Sequence, residues 1–261
     1  MTDYLDAHQH FWGPDTLPGW LRADHPLAGD FTPGRLAAAM ATTPVRATIA
    51  VQSDDSVEES LRLLNLARTT PWVAGVVGWL DPEGDVDAQL ATLCGAPGAD
   101  ALVGVRLSLR RRPPEHADRT VAAISAAGLA IDLLADRAAL PDVARLAAHA
   151  PRARIVLDHL GGPEPTDLAG WRRGLTAVAA RPNVVAKVSG LTTALPDPDD
   201  VAWAVETARE LLGPDRLLLG SDWPVCTLAG GYAETVHRYA ALVGDDPRIT
   251  AELGRATYLR R

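Results

Sequence analysis

At 261 residues and 47% hydrophobic content, the chain can bury one large core but is short for two ordinary domains, so a single domain over residues 1–261 is expected. A net charge of −8 and a pI near 5.3 leave no global basic field to gather phosphates, which disfavours nucleic acid and favours a small molecule as partner. Two cysteines, no basic-then-apolar leader and no apolar run longer than residues 73–80 exclude a disulfide framework and a membrane helix, so a soluble, cytoplasmic protein, alone or as a homo-oligomer, is expected.

The first apolar run, residues 4–7, leads into Asp6-Ala7-His8-Gln9-His10. Spacing of two on a strand puts both imidazoles on one face, where they can converge on one ion or one substrate oxygen. The connection that follows, residues 11–40, is the longest and holds Trp12, Trp20, His25 and Phe31. A loop this long and aromatic is expected beside the pocket, with Trp12 a substrate contact. Further strands are expected over residues 47–52, 73–80, 102–109, 130–135, 153–160, 183–190 and 216–222, and helices over 56–69, 118–127, 138–148, 168–180, 199–212 and 231–243. Asp54 and Asp55 read as solvated loop acids, and His25, His116, His149 and His237 as surface or loop residues.

Eight continuous apolar strands alternating with helices fit an α/β fold of the (β/α)₈ TIM-barrel type. A doubly wound open sheet is disfavoured, since no G-x-G-x-x-G loop follows the first strand and no P-loop occurs. In such a barrel the C-terminal strand ends meet the substrate. The sixth strand ends on Asp158-His159 before Gly161-Gly162-Pro163, and the eighth on Gly220-Ser221-Asp222. An acid closing an apolar strand must find a cation, a metal or several donors. Closure of the barrel brings the eighth strand beside the first, and so Asp222 beside His8 and His10.

Two basic residues sit inside apolar strands: Arg106 on the fourth and Lys187 on the seventh. Of the chain's 25 basic residues only Lys187 is lysine. Both are expected to need counterions, with Asp6, Asp132 and Asp158 the supply. For Arg106 an interior ion network and a substrate contact are both open; for Lys187 the network is the preferred reading.

These segments also carry a family likeness. Asp6-Ala7-His8-Gln9-His10-Phe11-Trp12, Ala50-Val51-Gln52, Gly75-Val76-Val77-Gly78-Trp79, Gly104-Val105-Arg106, Ile131-Asp132-Leu133-Leu134, Val156-Leu157-Asp158-His159, Lys187-Val188-Ser189-Gly190-Leu191 and Leu219-Gly220-Ser221-Asp222-Trp223-Pro224 together resemble, in order and along nearly the whole chain, the amidohydrolase-related lactonases. That group includes L-fuconolactonase, L-rhamnonolactonase and 2-pyrone-4,6-dicarboxylate lactonase. The resemblance implies an amidohydrolase-like barrel and hydrolysis of a lactone substrate. It implies that Asp222 activates water and that His8, His10 and His159 bind the carbonyl or, with Asp222, one divalent ion, zinc by preference, or none. A binuclear centre is not implied, because the carboxylated lysine and additional histidine it needs have no counterpart in a suitable place.

The chain also departs from that group. Sugar-lactone members follow the Gly-Val-Arg of the fourth strand with a histidine and an amide-and-acid stretch, whereas here Leu107-Ser108-Leu109-Arg110-Arg111-Arg112 stand there, and the group's lysine after His-x-Gly is Gly162. The ring's substituents therefore stay open between sugar and carboxylated lactones. Arg106 is expected to help hold the substrate, and Arg110, Arg111 and Arg112 to bind a substrate carboxylate, the alternative for the last three being an exposed turn neutralised by Glu115 and Asp118. A metal-dependent decarboxylase and a non-catalytic binding barrel remain as alternative functions. A serine nucleophile has no support, since G-x-S-x-G is absent.

Overall fold

A computed structural model describes residues 3–110 and 115–259; Arg111 and Arg112 lie outside that range. The strands are β1 Tyr4–Gln9, β2 Val45–Val51, β3 Val73–Gly78, β4 Leu102–Ser108, β5 Ala130–Leu134, β6 Ile155–Leu157, β7 Val184–Val188 and β8 Leu217–Leu219. Each pairs in parallel with the next, in chain order, in one eight-stranded sheet. Closure between β8 and β1 is made beyond the last strand, by a parallel bridge Gln9–Trp223 and by N–H donation from Asp222 to the His8 carbonyl (2.8 Å) and from His10 to the Trp223 carbonyl (2.7 Å). The eight strands thus form the expected barrel, nearly closed, and the seam lies at the end where a substrate would enter.

The helices are α1 Pro33–Met40, α2 Val57–Thr69, α3 Val86–Gly95, α4 Ala117–Ala126, α5 Leu140–His149, α6 Leu168–Ala179, α7 Leu191–Ala194, α8 Pro198–Leu212, α9 Tyr232–Leu242 and α10 Leu253–Tyr258. Local chemistry sets many of their starts: the side chains of Ser56, Asp85, Asp167 and Asp197 accept backbone N–H groups in the first turns of α2, α3, α6 and α8, removing orphan donors. Four helices, α1, α3, α7 and α10, lie outside the stretches read as helical from sequence.

The core has two parts. One large cluster fills the space between strands and helices, with Trp171, Leu63 and Val236 wholly buried. A second, smaller cluster fills the barrel interior: Leu5, Ala7, Ile49, Val51, Val77, Val103, Ala130, Val156, Leu218 and, from α10, Tyr258. No helix among the described residues is long and apolar enough to cross a membrane.

Two strands stop earlier than their apolar runs. Residues 158–161 turn away as a short helical segment, with His159 and Leu160 both at φ 52°, and β8 ends three residues before Asp222, itself at φ 59°. In both places the chain leaves the sheet where a polar side chain must be aimed inward rather than along the pleat.

Candidate active site

The alternation of β1 carries Asp6 and His8 on one face, with His10 one step beyond. The Nε2 atoms of His8 and His10 come within 3.2 Å. Asp222 Oδ1 lies 3.3 Å from His10 Nε2 and 3.7 Å from His8 Nε2, so the juxtaposition of Asp222 with both histidines expected from closure is realised. His159 brings its ring centroid to 4.6 Å from that of His8. Gly190, at φ 66°, is forced by this crowding: a Cβ there would stand 2.6 Å from His159 Nδ1 and 3.1 Å from Asp222 Oδ2.

Outer partners orient each ring. His10 Nδ1 sits 2.8 Å from the Val51 carbonyl, which can only accept, so Nδ1 carries the proton and Nε2 presents a lone pair to the site. His159 Nδ1 meets Ser189 Oγ at 2.9 Å. His8 Nδ1 lies 3.3 Å from Asp158 Oδ1 and 3.1 Å from Lys187 Nζ.

Lys187 is wholly buried and ion-paired to Asp132 and, at 2.9 Å, to Asp158. Tyr258 OH donates to Asp132 from below, at 2.8 Å to one oxygen. The lone lysine therefore anchors an interior ion network, as preferred from sequence, and that network touches His8. Asp6 takes no part in it. Its carboxylate accepts from Ser221 N (2.8 Å), Ser221 Oγ (2.6 Å), His8 N (3.1 Å) and Tyr232 OH (3.1 Å), pinning the β8 end onto β1. The expectation that Asp6 neutralises Arg106 or Lys187 is corrected accordingly.

Burial holds His8 well below the ordinary imidazole value, reinforced by the Lys187 charge, and lowers His159 too; both rings are neutral ligands or acceptors at neutral pH. Burial would raise Asp222, but the imidazoles of His159, His10 and His8 around it outweigh that, so its carboxyl sits below the usual carboxylate range. Asp158 is likewise lowered against its burial by Lys187 and His8, and burial pushes Asp132 up.

Above these residues opens a cavity of about 820 Å³ whose lining includes His10, His159 and Asp222. Arg106 and Arg110 line it as well. Arg106 is held by the Gln52 carbonyl (2.7 Å) and by a loose contact to Asp158 (3.6 Å), and its buried Nε has no partner among the described residues. Arg111 and Arg112, expected beside Arg110, are not described.

Trp12 is a correction. It is buried, its indole N–H donates to the Leu27 carbonyl (2.9 Å), and it is not among the cavity-lining residues; it stands behind His10 at 6.2 Å. The aromatic residue of the same loop that does line the cavity is Trp20. Asp54 and Asp55, read as ordinary loop acids, also line it. The length and aromatic content of residues 11–40 were the available signal, and they did not distinguish the two tryptophans.

The amidohydrolase family model matches residues 5–252. The chain belongs to the amidohydrolase family. It is 35% identical to L-fucono-1,5-lactonases of Burkholderia ambifaria, over 90% of this chain and 84% of that one, and of Burkholderia multivorans, over 90% and 88%. A crystal structure of an amidohydrolase from Burkholderia multivorans with bound zinc superposes with a TM-score of 0.87 at 30% identity, covering 99% of both chains.

The donor set of this amidohydrolase suits one divalent ion. Ligand atoms of His8, His159 and Asp222 lie within 4.8 Å of one another, and His10 Nε2 joins at the distances above. Neutral imidazoles and one carboxylate are the ligand chemistry of catalytic zinc, and the contacts at Val51 and Ser189 are outer-shell supports of the kind that orient such ligands.

Proposed function

We propose that this amidohydrolase opens a lactone ring by water attack, with Asp222 as the proton carrier. The observation that carries the reading is the position of Asp222, within 3.7 Å of two imidazole nitrogens on the floor of a cavity large enough for a sugar-sized ring. The 35% identity to L-fucono-1,5-lactonases over most of both chains supports ester opening over the carbanion protonation of a decarboxylase.

Asp222, ionised at neutral pH, accepts a proton from water as the water oxygen bonds to the lactone carbonyl carbon. The carbonyl oxygen becomes an oxyanion, which the donors facing the cavity, Arg106 first, stabilise. The ring carbon–oxygen bond then breaks, and Asp222 returns the proton to the departing alkoxide oxygen. The product is a hydroxy acid, whose ionisation releases one proton to the medium. An ion held by His8, His10, His159 and Asp222, zinc by preference, would add Lewis acidity toward the carbonyl. Lys187, Asp132 and Asp158 keep His8 in place from beneath.

A pH-indicator assay over sugar lactones, carboxylated lactones and unsubstituted lactones, with and without chelator, tests the reading. Acid release from at least one lactone, abolished in Asp222→Asn, is expected. Release of carbon dioxide from an aromatic acid with no action on any lactone would overturn it.

A further inference from the structure

Trp20, Asp54 and Asp55 form a part of the cavity wall that the reaction does not use. Trp20 is 56% exposed, yet its indole N–H is fixed on the Ser53 carbonyl (2.8 Å) and its ring stands edge-to-face on Trp12 at 5.9 Å. It therefore offers an immobile apolar face to the cavity. Beside it, Asp54 commits one oxygen to the Gly19 N–H (2.9 Å), and the Asp55 carboxylate has no hydrogen bond or ion pair among the described residues.

This ledge is built before any ligand arrives. The buried carboxylate of Glu59, on α2, accepts from Ser53 N (3.0 Å), Ser53 Oγ (2.6 Å) and Asp54 N (2.6 Å), and Arg62 ties Glu59 to the Phe11 carbonyl. The loop after β1 and the loop after β2 are thereby clamped to each other and to a helix, so a ligand is spared much of the ordering cost that binding usually carries. In the same cavity the buried Arg106, 8% exposed, keeps an unpartnered Nε.

We propose that Trp20, Asp54 and Asp55 form a hydroxyl-recognising subsite that selects uncharged, polyhydroxylated lactones. Ionised carboxylates only accept hydrogen bonds, so hydroxyl groups satisfy them whereas a second carboxylate is repelled. The indole face covers the C–H side that a polyol ring presents between its hydroxyls. The positive residues, Arg106 and Arg110, then serve the carbonyl and its oxyanion rather than a substrate carboxylate. This subsite rests on the lactonase reading for its reaction, and its binding can be tested apart from turnover.

The test compares kcat/KM for L-fucono-1,5-lactone with that for δ-valerolactone, a ring without hydroxyls, in the parent, Trp20→Ala and the pair Asp54→Asn, Asp55→Asn. The amide introduced by Asp54→Asn keeps an acceptor for the Gly19 N–H and loses only the charge. The preference for the hydroxylated ring falls at least tenfold in both variants, chiefly through KM. A preference unchanged within twofold in both would overturn the subsite. If the parent opens neither ring, the lactonase reading fails, and the subsite is decided by saturation-transfer NMR with L-fucose, the matching sugar without the ester. Transfer in the parent that disappears in Trp20→Ala sustains it, and no transfer in the parent refutes it.

Discussion

His8 and His10 aim their Nε2 atoms at each other across 3.2 Å. Because Nδ1 of His10 donates to the Val51 carbonyl, its Nε2 is a bare lone pair, and something positive, a proton on His8 or a cation, must occupy the line between the rings. Protein stripped with chelator and dialysed against zinc should bind one ion per chain by elemental analysis. At a free concentration of a hundred times Kd the ion should stabilise the fold by about 2.7 kcal/mol, read as a rise in Tm that is lost in His8→Ala. Two tightly held ions per chain would show that the donor set has been misread.

Asp222 occupies left-handed backbone at φ 59°, a conformation Asn and Asp tolerate far better than other non-glycine residues. Asp222→Asn should therefore keep its Tm within a few degrees while kcat falls by roughly 100-fold or more, the usual worth of a positioned acid–base. Residual kcat within tenfold of the parent would remove Asp222 from the proton-transfer role.

The interior network supplies a stability test. Lys187→Met leaves Asp132 and Asp158 buried without their cation and should cost roughly 3–5 kcal/mol in chemical denaturation. Combining it with Asp132→Asn should cost less than the sum of the two single losses, since the carboxylate left unpaired by the first change is neutralised by the second. Simple additivity would mean that the short Lys187–Asp132 contact carries no coupling.

The four tyrosines of the chain set its alkaline limit. Burial pushes Tyr4 and Tyr239 up to about 12, and Tyr232 and Tyr258 well above their ordinary value of 10.0. For a group raised in the folded state, the contribution to stability is whole below the unfolded value and is lost as pH climbs through the folded one. Above pH ~10, each tyrosine should cost about 1.4 kcal/mol of stability per pH unit. Phenolate absorbance should then appear together with the loss of helical circular dichroism. Reversible titration of any of the four near pH ~10 in folded protein would contradict the burial that causes the shift.

Period and composition determined the architecture of this protein. Eight β-branched or leucine-rich runs, each followed by a polar turn, leave little but a barrel, and most strand positions follow from burial on both faces. The spacing His8-x-His10 and an aspartate closing an apolar strand were equally legible, because two-residue alternation and the cost of an unpaired carboxylate are local facts. α3 escaped because its apolar residues carry little helical periodicity of their own, and α1 because it is only eight residues long and lies inside the connection of residues 11–40.

Tertiary structure alone decided the rest. Which of Trp12 and Trp20 faces the cavity depends on where residues 11–40 find their hydrogen-bond partners, Leu27 for one and Ser53 for the other. Whether Asp6 or Asp158 attends Lys187 depends on the β8–β1 seam, which captures Asp6 through Ser221 and Tyr232, residues more than 200 positions away. Asp54 and Asp55 became cavity residues because Glu59 draws their loop inward. Each residue type limits what a position can offer, but which partner it meets is a long-range choice, made only when the barrel closes and the buried polar groups compete for partners at once.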